Sequence, residues 1–310
     1  MPGWLKWTLI VLGAIVVVLG GFYWWFLFDG RPGGPVPAFA IDMVEIREAA
    51  AQQVGDLPTE IRVEQVARGS FPAAAVIAGE GFAGFPMTMT SYQVVFPHQT
   101  VVIDTAVDQP LSSQMGMTLD AQSAANRDAA MLLASQILLT HEHADHLGGI
   151  LAHPDPNAIA ERLSLTIEQT ANAGRFGGFA QNAAPPVIAA AQPIAYEGVH
   201  GVAPGMALIK APGHSPGSQM IFVALADGRE YLFIGDIGWA MRNIAEVRGR
   251  PRLMSDFILG ENREAVLGQL AAIETLREAE PDLTIVPGHD AAYIDALVSD
   301  GRMIAGFALP

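Results

Sequence analysis

The chain opens with an unbroken apolar run, Thr8 to Phe28, TLIVLGAIVVVLGGFYWWFLF, in which no position is charged. Every face of a helix built from it would be apolar. That suits a segment immersed in lipid, where about 20 such residues cross the bilayer, better than a helix packed by one face on a core. Trp4, Trp7, Trp24 and Trp25 stand near its two ends, where indole rings favour the headgroup region. The pattern then breaks at DGRPGGPVPA, whose Pro and Gly density cannot hold a helix. From residue 41 onward, short apolar runs bounded by Gly, Pro, Asp or Ser read as strands. They are Ile61–Val66, Ala73–Ile77, Tyr92–Phe96, Val101–Asp104, Gln136–Thr140, Ala207–Lys210, Met220–Ala224, Tyr231–Ile234 and Leu283–Val286. Helices are predicted over Asp120–Ala134, Glu261–Ala279 and Ala291–Val298. In the second of these Val266, Leu267, Leu270, Ile273 and Leu276 recur at helical spacing.

Strands in two groups with helices between them predict sheets packed face to face and helices outside. No repeat of 20–50 residues is evident. Thr170–Gln192, rich in Gly, Ala, Asn and Pro, is expected to be an irregular loop, a candidate lid or binding loop. The organisation is thus a membrane anchor over 1–28, a linker over 29–40 and one domain over 41–310. A cleaved signal peptide is the alternative for the first segment, with Lys6 as its charged start and Ala38-Phe39-Ala40 as a cleavage-like site. That site lies well past a run that is long for a signal peptide, so an uncleaved anchor is favoured. The α-amino group and Lys6 before the run point to an inside N-terminus and a periplasmic or extracytoplasmic domain.

Composition narrows the partners. The 310 residues carry 17 basic and 32 acidic side chains, a formal charge of −15. The only lysines are Lys6 and Lys210. Such a balance argues against nucleic acid and disfavours a polyanionic ligand. The mean hydropathy of +0.30 owes part of its height to the N-terminal run. There is no cysteine, hence no disulfide framework and no thiolate ligand or nucleophile.

Candidate chemistry centres on LLTHEHADHLGGI, residues 138–150, which spends three of the eight histidines in six positions. Crowding His141, His143, Asp145 and His146 is electrostatically costly unless a cation is shared among them. Imidazole and carboxylate are ligands that Zn²⁺ accepts. Three further strand-to-loop passages present one ligand type each: His214 in APGHSPGS, Asp236 in YLFIGDI and His289 in LTIVPGHD. Singly, each would be an ordinary turn or cap residue. His98, His153 and His200 match no motif and read as ordinary turn or surface histidines.

The order HxHxDH, GHSPGS, GD, PGHD, with VVIDTA supplying Asp104, resembles the metallo-β-lactamase fold superfamily over roughly residues 60–300. The resemblance implies an αββα sandwich of two mixed β-sheets flanked by helices, with a dinuclear metal site at one edge, here preceded by one transmembrane helix. It implies His141, His143 and His214 on one metal, Asp145, His146 and His289 on the other, and Asp236 bridging. Asp104 would orient a ligand histidine from behind. The implied cofactor is two Zn²⁺, with iron or manganese as alternatives. The implied reaction is attack of a metal-bridging hydroxide on a carbonyl carbon, with Asp145 aiming the hydroxide and Asp236 holding both metals.

The lactonase branch is the nearest in feel. The bridging aspartate separates the chain from true β-lactamases, and Ile-Gly-Trp after Asp236 replaces the Thr-Leu-Phe typical of glyoxalase II. Acyl-homoserine lactonases carry a tyrosine three residues after this aspartate; here the position is Trp239, whose indole donates a hydrogen bond but has no ionisable hydroxyl. Phe82 and Phe85 in GFAGFPMTMT, and Phe176 and Phe179 in AGRFGGFA, are candidates for an apolar acyl pocket or, equally, for core packing. The expected function is a lactonase-like zinc hydrolase of small carboxylic esters. The alternatives are a thioesterase or β-lactamase-like amidase, and a non-catalytic, membrane-tethered metal-binding domain.

Overall fold

The computed structural model describes residues 1–32, 34–176, 186–191 and 193–309. In chain order the strands are β1 (Glu60–Pro72), β2 (Gly84–Val95), β3 (Thr100–Ile103), β4 (Thr118–Leu119), β5 (Gln136–Leu138), β6 (Val199–Ala203), β7 (Met206–Lys210), β8 (Gln219–Ala224), β9 (Glu230–Gly235), β10 (Thr284–Pro287) and β11 (Ile304–Ala305). One sheet runs β11-β1-β2-β3-β5, with β4 beside β1; the other runs β10-β9-β8-β7-β6. Both are mixed: β1–β11 and β3–β5 are parallel in the first, β9–β10 in the second.

Four layers follow from where the apolar side chains go. Ile61, Val94, Ile103, Leu208, Ile221 and Phe233 fill the space between the sheets, and Tyr92 meets Phe233 there at 4.8 Å between ring centroids. Helices Met43–Ala51 and Arg263–Ala279 cover the outer face of the second sheet through Ile46, Leu270 and Ile273. Helices Ala121–Leu133 and Ala144–Ala152 cover the first through Met131, Leu147 and Ile150. The helix starts are fixed by side chains accepting from free backbone N–H groups: Asp42, Asp120, Asn262 and Asp290, each cap worth about 1 kcal/mol.

The direction of the strands places the site. β3 and β5 run parallel, as do β9 and β10, and β7 points the same way as β9 because β8 is antiparallel to both. The C-terminal ends of these strands therefore open onto one edge of the sandwich. Asp104, His141, His214, Asp236 and His289 all lie just beyond those ends.

Three expectations are corrected. Ala73–Ile77 is not a strand: Ala73–Val76 is one helical turn. Pro72, at φ −55°, starts it, and an alanine run has the best helix propensity. Thr170–Gln192 is not wholly irregular, because helix Ile167–Phe176 enters it and Pro186–Ala189 forms another turn. The signal was Thr166-x-x-Gln169, a capping box in which each side chain bonds the other's backbone N–H or accepts from it, at 3.1 Å both ways. His153 is buried, not superficial; its Nε2 faces the Asp128 carbonyl at 3.2 Å, and its Nδ1 accepts from Asp155 N.

The N-terminal run is a single helix, Gly3–Leu27, 25 residues with no buried position, long and apolar enough to cross a membrane. A signal sequence has the same length and composition.

Candidate metal centre

Two ligand clusters meet at one carboxylate. His141, His143, His214 and Asp236 bring one ligand atom each to within 4.8 Å of one another, and so do Asp145, His146, Asp236 and His289. The two oxygens of Asp236 divide between them. Oδ1 lies 3.0 Å from His289 Nε2 and 3.3 Å from His146 Nε2. Oδ2 lies 3.3 Å from His214 Nε2 and 3.8 Å from His141 Nε2.

The backbone around Asp236 is built for this approach. Gly235 sits at φ +51°, a region that favours glycine, against the Thr140 side chain. A Cβ on Gly288 would overlap Asp236 Oδ1, so the PGHD loop can pass the carboxylate only as glycine.

Each ring is aimed from behind. Asp104 Oδ2 lies 2.9 Å from His146 Nδ1 and also accepts from Thr140 Oγ1, while its Oδ1 accepts from Thr140 N at 2.7 Å. Asp104 does this from a left-handed backbone conformation, φ +56°, uncommon for a residue with a Cβ. His289 Nδ1 faces the Thr88 carbonyl at 3.0 Å. The other face of His214 meets Arg250 Nη2 at 3.3 Å and Glu261 Oε2 at 3.6 Å. Such outer partners fix which ring nitrogen turns inward.

The donor set fits dications. His141 Nε2 is buried without a hydrogen-bond partner, which is expensive unless something cationic meets it. His143 Nδ1 and His214 Nε2 point at each other at 2.8 Å, and His146 Nε2 and His289 Nε2 at 3.4 Å. Ring nitrogens that converge in this way offer their lone pairs to a shared cation once deprotonated. Burial keeps His141 and His143 well below the ordinary imidazole range, hence neutral, the form that coordinates. Burial opposes charge on His146 and His289 too, but Asp104 and Asp236 outweigh it for His146, and Asp236 and Asp145 for His289, and both are held above that range.

Two networks escaped the sequence reading. Glu142, between the first two histidines of the motif, is fully buried and turned away from them. It accepts from Ser215 Oγ at 2.8 Å and Gly217 N at 3.1 Å, locking the HxHxDH loop to the GHSPGS loop. Its position inside the motif was the available signal. Arg250 and Glu261 form a buried ion pair, Nη2 to Oε2 at 2.6 Å and Nε to Oε1 at 2.8 Å, and Arg250 also donates to the Asp236 carbonyl at 2.8 Å. Nothing in the spacing of these two residues marks them.

Among the aromatic candidates, Trp239 is buried beside the centre. Its Nε1 donates to Asp236 Oδ2 at 2.6 Å, its ring lies 5.8 Å from that of His289, and the Arg250 guanidinium stacks over it at 4.9 Å. Phe85 packs in the same apolar cluster as Trp239, while Phe82 is 71% exposed. Phe176 is described only as the last residue of its helix, and Phe179 lies outside the described residues. An opening of about 300 Å³ beside His214 is lined by Pro212, Gly213, Ser215, Pro216, Gly260 and Asn262.

The family model described as the metallo-beta-lactamase superfamily matches residues 90–289. A quorum-quenching N-acyl homoserine lactone lactonase superposes at a TM-score of 0.61 with 17% identity, covering 78% of this chain and 97% of that chain. An N-acyl homoserine lactone hydrolase with the product N-hexanoyl-L-homoserine bound at its catalytic metal center gives 0.60 and 17%, covering 77% and 96%. A probable metal-dependent hydrolase from Staphylococcus aureus gives 0.58 and 12%, covering 76% and 91%. No curated protein sequence matches the chain.

Proposed function

Because the chain belongs to the metallo-beta-lactamase superfamily, we propose that it is a metal-dependent hydrolase with a dinuclear centre acting on a lactone or similar small carboxylic ester. The observation that carries this reading is the division of one buried carboxylate, Asp236, between two clusters of ligand atoms. In this reading His141, His143 and His214 hold one metal, Asp145, His146 and His289 the other, and Asp236 both. The lactone preference follows the superposed lactonases, and zinc is the metal that suits imidazole and carboxylate at such a site.

Bound there, the metals would polarise the substrate carbonyl and make water a nucleophile at neutral pH. The chain's own groups do the rest. Asp145 is less buried than its cluster partners and has an oxygen 3.5 Å from His289 Nε2. It is the group able to take a proton from the attacking water and return it to the leaving alkoxide. Asp104 and Thr140 hold His146 in place. The Glu142 lock keeps His143 and His214 at a fixed separation.

Trp239 positions Asp236 through its indole N–H. Trp239→Phe keeps most of the buried ring and removes that donor. A hydrogen bond to a charged group is worth about 1.5–3 kcal/mol, so kcat is expected to fall about tenfold to a hundredfold with KM little changed. Steady-state kinetics on the variant check this. An unchanged kcat would leave Trp239 a packing residue.

Metal uptake is expected to release protons. Asp104 and Asp236 beside His146, and Asp236 and Asp145 beside His289, favour the protonated ring, and each ring must lose that proton to coordinate. Affinity therefore rises with pH. Titration calorimetry with Zn²⁺ in buffers of different ionisation heat reads the released protons directly.

We also propose that Gly3–Leu27 is retained as a membrane anchor with the domain on the extracytoplasmic side. In support, its exit end is built into the domain: Gly79 N donates to the Leu27 carbonyl at 3.0 Å, and Asp29 accepts from Arg252 at 2.7 Å. The functional reading is tested by proton release in a pH-stat. The zinc-loaded chain is offered acyl-homoserine lactones, simple lactones, a thioester, a β-lactam and a phosphodiester. Lactone opening is expected. Turnover of another ester class alone would move the substrate assignment, and no turnover with two metals bound would favour a binding domain.

A further inference from the structure

We propose that the segment Leu253–Leu259 seats the domain on the lipid surface beside its anchor. This rests on reading Gly3–Leu27 as a retained anchor.

The segment is a π-helical turn following Pro251 and ended by Gly260 at φ +68°. Its tip carries Phe257 and Ile258, 62% and 60% exposed. Isolated exposed apolar residues need no explanation, but these are continuous with the lipid-facing run. The Phe257 ring lies 5.2 Å from Phe26 and 6.4 Å from Trp25, at the last turn of the anchor. A second loop reaches the same place: Gly79 bonds the Leu27 carbonyl, and the loop goes on to the exposed Phe82. Thus two loops flank the anchor where it leaves the membrane, each carrying a large exposed apolar side chain.

Charge at this collar suits a lipid surface. In a chain of net charge −15, three acidic groups here are paired: Asp29 with Arg252 and Arg263, Glu80 with Arg242 and Arg248, Asp256 with Arg252. The Arg252 guanidinium also stacks on Trp25 at 4.9 Å. Aromatic rings with arginine at one level are what interfacial residues look like.

The same stretch of chain joins this surface to the chemistry. Arg250, three residues before the segment, donates to the Asp236 carbonyl, and Gly260 and Asn262, just after it, line the opening beside His214. Seating Phe257 and Ile258 in the interface would hold this stretch of chain, and with it the Arg250 contact to Asp236, next to the bilayer.

The absence of cysteine makes the test direct. Single Phe257→Cys, Ile258→Cys, Val16→Cys and Val54→Cys variants of the full chain are labelled with an environment-sensitive fluorophore in phosphatidylcholine/phosphatidylglycerol vesicles containing spin-labelled lipid. Val54 is exposed beside Gly55, which abuts Pro204 at the β6–β7 turn, the end of the second sheet far from Asp236. The expected result is blue-shifted, quenched emission at 16, 257 and 258 and neither effect at 54. Quenching at 16 without quenching at 257 and 258 overturns the seating and leaves the anchor standing. No quenching at 16 overturns both; equal quenching at 54 and 257 overturns the seating alone.

Discussion

Asp236→Ala is expected to abolish measurable hydrolysis and to drop bound metal below two per chain. The carboxylate faces imidazole nitrogens of both clusters, with Oδ1 toward His146 and His289 and Oδ2 toward His141 and His214. Loss of a partner behind a metal ligand typically costs 10–100-fold in affinity or activity, so removing a ligand shared by two metals should cost more than about 100-fold. The variant also loses the acceptor for Trp239 Nε1, and the facing histidine pairs lose the negative charge that offsets their crowding. Stoichiometry by mass spectrometry of the metal, with turnover on the same sample, checks both halves. Retention of two tightly bound metals with full activity would show that Asp236 is not shared.

Arg250→Met is expected to destabilise the domain by about 3–5 kcal/mol, the usual cost of leaving one member of a buried pair uncompensated. Glu261 is buried against Arg250, with 1% of its side chain exposed. Burial pushes its carboxyl up, but the Arg250 guanidinium outweighs that and holds it at about 2. Because the folded-state value is depressed, the pair's stabilisation is fully present above the ordinary carboxyl value of 4.5 and is lost as pH falls through about 2. The penalty in Arg250→Met should therefore be largest near neutrality. Arg250→Met combined with Glu261→Leu should recover much of it, since well-packed apolar replacement of a buried pair is often neutral. Urea unfolding in detergent measures both. A single variant within 1 kcal/mol of the parent, on the order of an ordinary surface change, would place the pair outside the stabilising core.

The candidate site residues were legible because each stands in a short local pattern at the end of an apolar strand. Asp104, His141, His214, Asp236 and His289 could be read one loop at a time, and the strand directions then bring them to one edge. What holds them is non-local and left no pattern. Arg250 and Glu261 meet across a π-helical turn, and Glu142 finds Ser215 and Gly217 73 and 75 positions away. Secondary structure failed where other local signals outvoted the apolar pattern. Ala73–Val76 reads as a strand by hydrophobicity, yet Pro72 and its alanines turn it helical. β6 was invisible because Gly201 and His200 interrupt its apolar run; Gly201 is required there, since a Cβ would overlap the Ala49 carbonyl of the covering helix.

A shared Asp236 makes a direct demand on where metal scatters. Crystals of the full chain grown in detergent with Zn²⁺ should show two anomalous peaks at the zinc edge, about 3.5–4 Å apart, one against His141, His143 and His214 and one against Asp145, His146 and His289, with Asp236 between them. A single peak, or peaks away from Asp236, would contradict the dinuclear centre and the hydrolytic reading built on it.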